Sequence, residues 1–254
     1  MPHAPVRPPH GAGLTPWLFR NSGYAFAALT AFAILAFWPG YLAQPFSKDV
    51  RFHIHALALG GWCALLIAQA FLIRSGDRAL HRRLGRFSYL IGPAVSVSIL
   101  VLNHHRSQPR EIDDFRLWLF TSNIGDAVLF FVCWALAMLN RKTPTVHARF
   151  MICTAVTLIP PIFDRLFSRY ALTAETAGML PTVAGQPFTI LPSFAMVFVV
   201  LAVLASWDLR STSRSTVFAW MLVVFASFYA APLVLFTLPW WRSVIVWYLS
   251  MPLS

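Results

Sequence analysis

The sequence predicts an all-α, polytopic membrane bundle of about seven transmembrane helices, and three observations carry that prediction. Of 254 residues, 58% are hydrophobic and only 11% are charged, where soluble domains carry roughly a quarter charged residues. Mean hydropathy is +0.64. Apolar stretches long enough for a bilayer core, about 20 residues each, recur along the chain between short polar loops. The same composition excludes a disordered chain and a disulfide-stapled secreted scaffold.

Taken in order, residues 1–18 hold Pro2, Pro5, Pro8, Pro9, Gly11, Gly13 and Pro16, and predict a flexible cytoplasmic tail. Residues 19–241 form the seven-helix domain. Its spans run near Gly23 to Leu42, His55 to Ile73, Phe87 to Asn103, Leu117 to Leu139, Met151 to Leu172, Phe188 to Ser206 and Phe218 to Trp240. Residues 242–254 are left as a short interfacial segment. The first span is too long for the apolar region of a cleaved signal peptide and stays in the membrane.

Arginine and lysine set the orientation, because positive loops resist translocation. The loop after the second span carries Arg74, Arg78, Arg82, Arg83 and Arg86; placing it inside puts 12 of the 20 basic residues there and eight outside. This gives an inner-membrane protein with a cytoplasmic N-terminus and a periplasmic C-terminus. The formal charge of +11 then reflects topology, since the arginines sit in separate loops and make no continuous nucleic-acid face. Trp17, Trp38, Trp118, Trp240, Trp241 and Trp247 fall at span ends and predict interfacial aromatic belts. Cys63, Cys133 and Cys153 lie in separate spans and predict small core residues.

Ionisable residues inside a span are costly and mark functional positions. Asp126 lies about nine residues inside the fourth span, roughly 13 Å deep, with Asn123 on its face. The fifth span holds Pro160-Pro161 followed by Asp164 and Arg165, so freed carbonyls and charge point to a polar pocket. Asp126 and Arg165 are the candidate catalytic residues; they pair with each other across the two helices, serve a ligand or a proton, or do both.

The histidines divide by topology. His53 and His55 open the second span, and His104 and His105 close the third, so all four meet at the outer surface as candidate iron, copper or zinc ligands. On a helix, His53 and His55 point about 200° apart and cannot share a site; on an extended segment they can. His81 and His147 open the third and fifth spans at the inner surface. They are candidate cofactor ligands, with interfacial or lipid-phosphate contact as the plainer reading.

His53-Ile54-His55, His81-Arg82-Arg83-Leu84-Gly85, Asp126, His147-Ala148-Arg149-Phe150-Met151 and Pro161 to Leu166 together resemble an uncharacterised family of bacterial multi-pass membrane proteins, over roughly Phe52 to Phe167. The chain is similar, more loosely, to four-helix transmembrane cytochromes b, in which histidine pairs on alternating helices hold two hemes. That likeness implies His81 with His147 as the inner pair. It departs at the outer pair, where His55 needs a partner near Thr121 to Asn123 and no histidine stands there. The HxRxM turn is also similar to small proteins that assist assembly of heme-copper oxidases.

These readings give a His-rich inner-membrane protein that binds heme or a transition metal (Fe or Cu) and acts in electron transfer or metallocofactor handling. A quinone or a respiratory-chain protein is the expected partner besides the lipid bilayer. The alternative is a non-redox transporter or accessory subunit with a polar path around Asp126 and Arg165. The sequence holds no P-loop, GxSxG, HExxH or Gly-rich dinucleotide turn, and it leaves open whether the protein is an enzyme.

Overall fold

The computed structural model describes residues 14–107, 112–211 and 215–252. Its helices are α1 (Leu14–Phe37), α2 (Val50–Ser75), α3 (Arg78–Gly85), α4 (Ser88–Ser107), α5 (Asp114–Leu139), α6 (Pro144–Val156), α7 (Ile159–Leu166), α8 (Ala174–Gly178), α9 (Leu191–Arg210), α10 (Val217–Leu235) and α11 (Pro239–Leu249). A two-stranded antiparallel hairpin, β1 (Thr182–Val183) with β2 (Gln186–Pro187), lies before α9. Among the described residues six helices are long and apolar enough to cross a membrane, and the pair α3–α4, bent by 42°, makes a seventh. The chain is an all-α, multi-pass membrane protein.

Large apolar side chains cover the outside of the bundle. Leu57, Leu90 and Trp220 are each about two-thirds exposed or more, at 76%, 72% and 67%. In lipid such surface carries no burial penalty, so the helices associate through close packing and interhelical hydrogen bonds instead.

Packing contacts run α1 to α2, α2 to α4, α4 to α5, α5 to α10, α10 to α9 and α9 back to α1, which closes a ring of six spans. The fifth span, α6 followed by α7, fills that ring, touching α1, α5, α9 and α10. Half of its most apolar stretch is buried, against a third or less in the five other continuous spans. Trp62 of α2 is fully buried against it and donates its indole N–H to Thr154 Oγ1 at 3.2 Å. The helix with the Pro-Pro break is therefore the axle of the bundle.

Several boundaries differ from the sequence expectation. The tail was expected to reach residue 18, yet α1 begins at Leu14. Pro16 is tolerated there because the first turn has no N–H partner to lose. Residues 1–13 of the expected tail lie outside the described residues. The fifth span is not one helix from Met151 to Leu172: α6 ends at Val156, a turn follows, and α7 restarts with Pro160 and Pro161 in its first turn. The last span ends at Leu235, and the expected interfacial segment begins earlier, as α11, with Pro239 at its first position. Proline at N1 starts a helix because its missing N–H would be unpaired anyway. Trp118 is no belt residue. It is 4% exposed and packs edge-on against Phe188.

Candidate functional site

The alternation of spans gives the bundle two ends. The arginine-rich end carries the start of α1, the end of α2, α3, the end of α5, the start of α6 and the end of α9. The histidine-rich end carries the start of α2, the end of α4, the start of α5, the end of α7 and α11.

At the arginine-rich end, Gly76 closes α2 in the left-handed conformation, φ 82°, which only glycine adopts without cost. Asp77 then caps α3 by accepting the Leu80 N–H at 2.9 Å. This tight α2–α3 turn sets half-buried His81 back against α2, where its ring faces the backbone carbonyl of Gln69. His81 Nδ1 is buried and has no hydrogen-bond partner. Gln69 lies beside it, and both its side-chain atoms, Oε1 and Nε2, are likewise buried without partners.

His147, in the first turn of α6, lies within electrostatic range of His81. Its Nδ1 donates to the carbonyl of Ala137 at 2.8 Å. That carbonyl belongs to the last turn of α5, where the helix supplies no donor of its own. The bond commits Nδ1, and Nε2 of His147 makes no hydrogen bond among the described residues. The two histidines that the sequence assigned to an inner pair thus lie at one end within electrostatic range of each other; His147 is anchored to a backbone carbonyl and His81 Nδ1 is buried without a partner.

Beside them lies an ion pair that the sequence reading missed. Arg149 of α6 and Asp208 of α9 are buried, at 1% and 0% exposure. Arg149 Nε and Nη2 donate to the two Asp208 oxygens at 2.6 and 2.5 Å, and Nη1 donates to the Thr145 carbonyl at 2.7 Å. The sequence places Arg149 among the inner basic residues and in the His147 to Met151 turn, and names no partner for it. A lone carboxylate in the last turn of a span was the available signal.

At the histidine-rich end the four candidate metal ligands do not converge. The second span is helical from Val50, so the extended alternative for His53 and His55 fails and the two side chains diverge. His53 Nδ1 bonds the Tyr41 hydroxyl at 2.7 Å. His55 Nδ1 bonds Ser98 Oγ at 3.0 Å, and Ser98 in turn donates to the Val95 carbonyl. His105 accepts from Arg51 Nη1 at 3.4 Å and lies 3.8 Å from the Asp49 carboxylate. His104 is fully buried edge-on against Tyr248 of α11, with neither ring nitrogen hydrogen-bonded. Among the described residues no three His, Cys, Asp or Glu side chains are grouped to hold a metal ion.

Asp126 and Arg165 do not pair, which corrects the expected link between the fourth and fifth spans. Arg165 donates Nη1 to the Pro161 carbonyl at 2.5 Å and lies 4.5 Å over the Phe37 ring. It caps a carbonyl at the proline break from its own helix. Asp126, about 18 Å along α5 from its start, faces α10, with Tyr229 within electrostatic range. Its carboxylate makes no hydrogen bond or ion pair among the described residues, and the buried Tyr229 hydroxyl has no partner either. Tyr229 stacks on Phe194 of α9 at 4.1 Å, so this polar spot sits in a wedge of α5, α9 and α10 away from Arg165. In comparisons with known proteins, no family model, no curated protein and no solved structure matches the chain.

Proposed function

We propose that the chain is an inner-membrane protein that holds a histidine-ligated redox cofactor, heme or an iron or copper ion, between His81 and His147, and that it acts in electron transfer or metallocofactor handling. The carrying observation is the state of the two rings. His147 is oriented by its Nδ1–H bond to a backbone carbonyl, the way proteins orient a ligating imidazole, and His81 keeps a buried Nδ1 with no hydrogen-bond partner. The unpartnered Gln69 amide beside them adds a donor and an acceptor that a bound group would satisfy. A bound heme or metal would supply one-electron chemistry. Arg82 and Arg83, flanking His81 on α3, would counter the negative charge of propionates or other acidic groups. With the arginine-rich end cytoplasmic, the cofactor would sit at the inner surface.

The test is the oxidised and dithionite-reduced absorption spectrum of the detergent-purified chain, with elemental analysis for iron and copper. Soret and alpha bands, or a stoichiometric metal, are expected, and both are lost in His81→Ala and in His147→Ala. A featureless spectrum with no bound metal overturns the reading, as does cofactor content unchanged in both variants.

A second reading, a non-redox transporter or accessory subunit with a polar intramembrane path, is favoured by the unpartnered Asp126 carboxylate facing Tyr229. Under it, Asp126→Asn abolishes proton-coupled uptake by a cofactor-free protein. Full activity of that variant counts against it.

A further inference from the structure

At the histidine-rich end the positive charge is only partly answered. Three carboxylates there are taken by three arginines: Asp49 by Arg51, Asp113 by Arg116 and Asp114 by Arg242. Arg106 at the end of α4 and Arg169 after α7 are exposed and have no ion pair among the described residues. Both lie within electrostatic range of Arg165, which is half-buried on the central span. The nearest carboxylate, Asp164, turns to the Ser168 hydroxyl one turn further on. Arg165 therefore has two exposed guanidinium groups and one carboxylate, Asp164, within electrostatic range.

The local geometry holds this charge in place. The Pro161 carbonyl anchors one edge of the Arg165 guanidinium and the Phe37 ring supports its face, which leaves its remaining N–H donors uncommitted. His55 lies within electrostatic range of Arg165 and Arg106. Its Nδ1–H is spent on Ser98, whose own hydroxyl proton goes to Val95. Like charges gathered at the edge of an apolar bundle repel one another, and an anion of matching shape relieves that cost. Guanidinium forks match tetrahedral oxyanions and carboxylates, with each charge-assisted bond stronger than a neutral one.

We propose that Arg165, Arg106 and Arg169, at the mouth formed by the ends of α1, α4 and α7 and the start of α2, bind a phosphate-type oxyanion. The accepting oxyanion belongs to the headgroup of an acidic lipid or to a free phosphate; the chemistry of the site is the same for both. Trp38, more than half exposed, comes directly after Phe37, whose ring lies under Arg165, and gives an acyl chain apolar surface to follow. The site is independent of the cofactor reading, because it lies at the opposite end of the bundle from His81 and His147.

The experiment titrates the purified full-length chain with dihexanoyl phosphatidylglycerol, dihexanoyl phosphatidylcholine and inorganic phosphate, reading binding by calorimetry and the melting temperature. Wild type, Arg165→Gln, Arg106→Gln and Arg116→Gln are compared. Arg116 shares the same end but is paired with Asp113. Binding of phosphatidylglycerol and phosphate, at least tenfold weaker in Arg165→Gln and Arg106→Gln and unchanged in Arg116→Gln, supports a free-oxyanion site. The same pattern for phosphatidylglycerol alone supports a lipid headgroup site. Absence of binding by both anions, equal binding of phosphatidylcholine, or unchanged affinity in Arg106→Gln overturns the proposal. Arg106 is exposed, so this last variant keeps the test decisive if Arg165→Gln does not fold.

Discussion

Arg149 and Asp208 join the central span to the ring around it: the guanidinium meets both carboxylate oxygens, at 2.6 and 2.5 Å, where neither side chain is reached by solvent. Breaking such a pair from one side leaves an unanswered buried charge, which costs about 3–5 kcal/mol, whereas replacing both partners by apolar groups of similar volume is often near neutral. Asp208→Ala is expected to lower the melting temperature of the detergent-solubilised protein sharply. Arg149→Met combined with Asp208→Leu should recover most of that loss. Equal stability of Asp208→Ala and wild type would show that the pair contributes nothing to the fold.

Gly92 of α4 lies against the Trp134 side chain of α5. A Cβ at this position would overlap the indole of Trp134, whose Nε1 donates to the Ser88 carbonyl at 3.0 Å. Gly92→Ala should therefore destabilise by about 1–3 kcal/mol, the usual cost of overpacking. Adding Trp134→Phe should reverse part of it, because the smaller ring yields the space. Thermal melts of the two single variants and the double variant give the coupling directly.

Gln69 separates stability from binding. Its amide is buried with both polar atoms unpaired, a state that costs about 1–3 kcal/mol. Gln69→Leu should raise the stability of the cofactor-free protein by an amount of that order. If the amide serves a group held by His81 and His147, the same variant weakens cofactor retention. A variant that melts lower than wild type without cofactor would mean the amide is satisfied after all.

The cap of α2 carries a pH dependence of known sign. The backbone N–H of Arg51, and then its guanidinium, hold the Asp49 carboxyl below its ordinary value. A carboxyl depressed in the folded state stabilises at pH above the ordinary carboxylate range, and that contribution fades as pH falls through the folded value. The difference in melting temperature between wild type and Asp49→Asn should be constant from neutral pH to about pH 5 and shrink below about pH 4, where the unfolded carboxyl takes up its proton. A difference that grows on acidification would contradict the assignment.

A reporter fused at Ser254 tests the orientation inferred from the arginines. The C-terminal helix α11 lies at the same end as His104, against which its Tyr248 packs, so the reporter should be active on the exported side, and one placed in the Arg78–Arg86 turn should not.

Composition and apolar length determined the fold class and the number of spans. Both follow from the bilayer's demand for about 20 apolar residues per crossing, which is written locally in the chain. That His81 and His147 share one end of the bundle was legible too, since span parity puts both there. Parity fixes only the end and the approximate depth of a residue, not the direction it faces around the ring. Tertiary structure alone decided that the proline-broken span is the axle, that Arg165 bonds its own helix while Asp126 faces Tyr229, and that four histidines at one end turn to four different surroundings. It also found Asp208 for Arg149, because a buried charge takes the partner that the packing of neighbouring helices brings within reach, and those neighbours are distant in sequence.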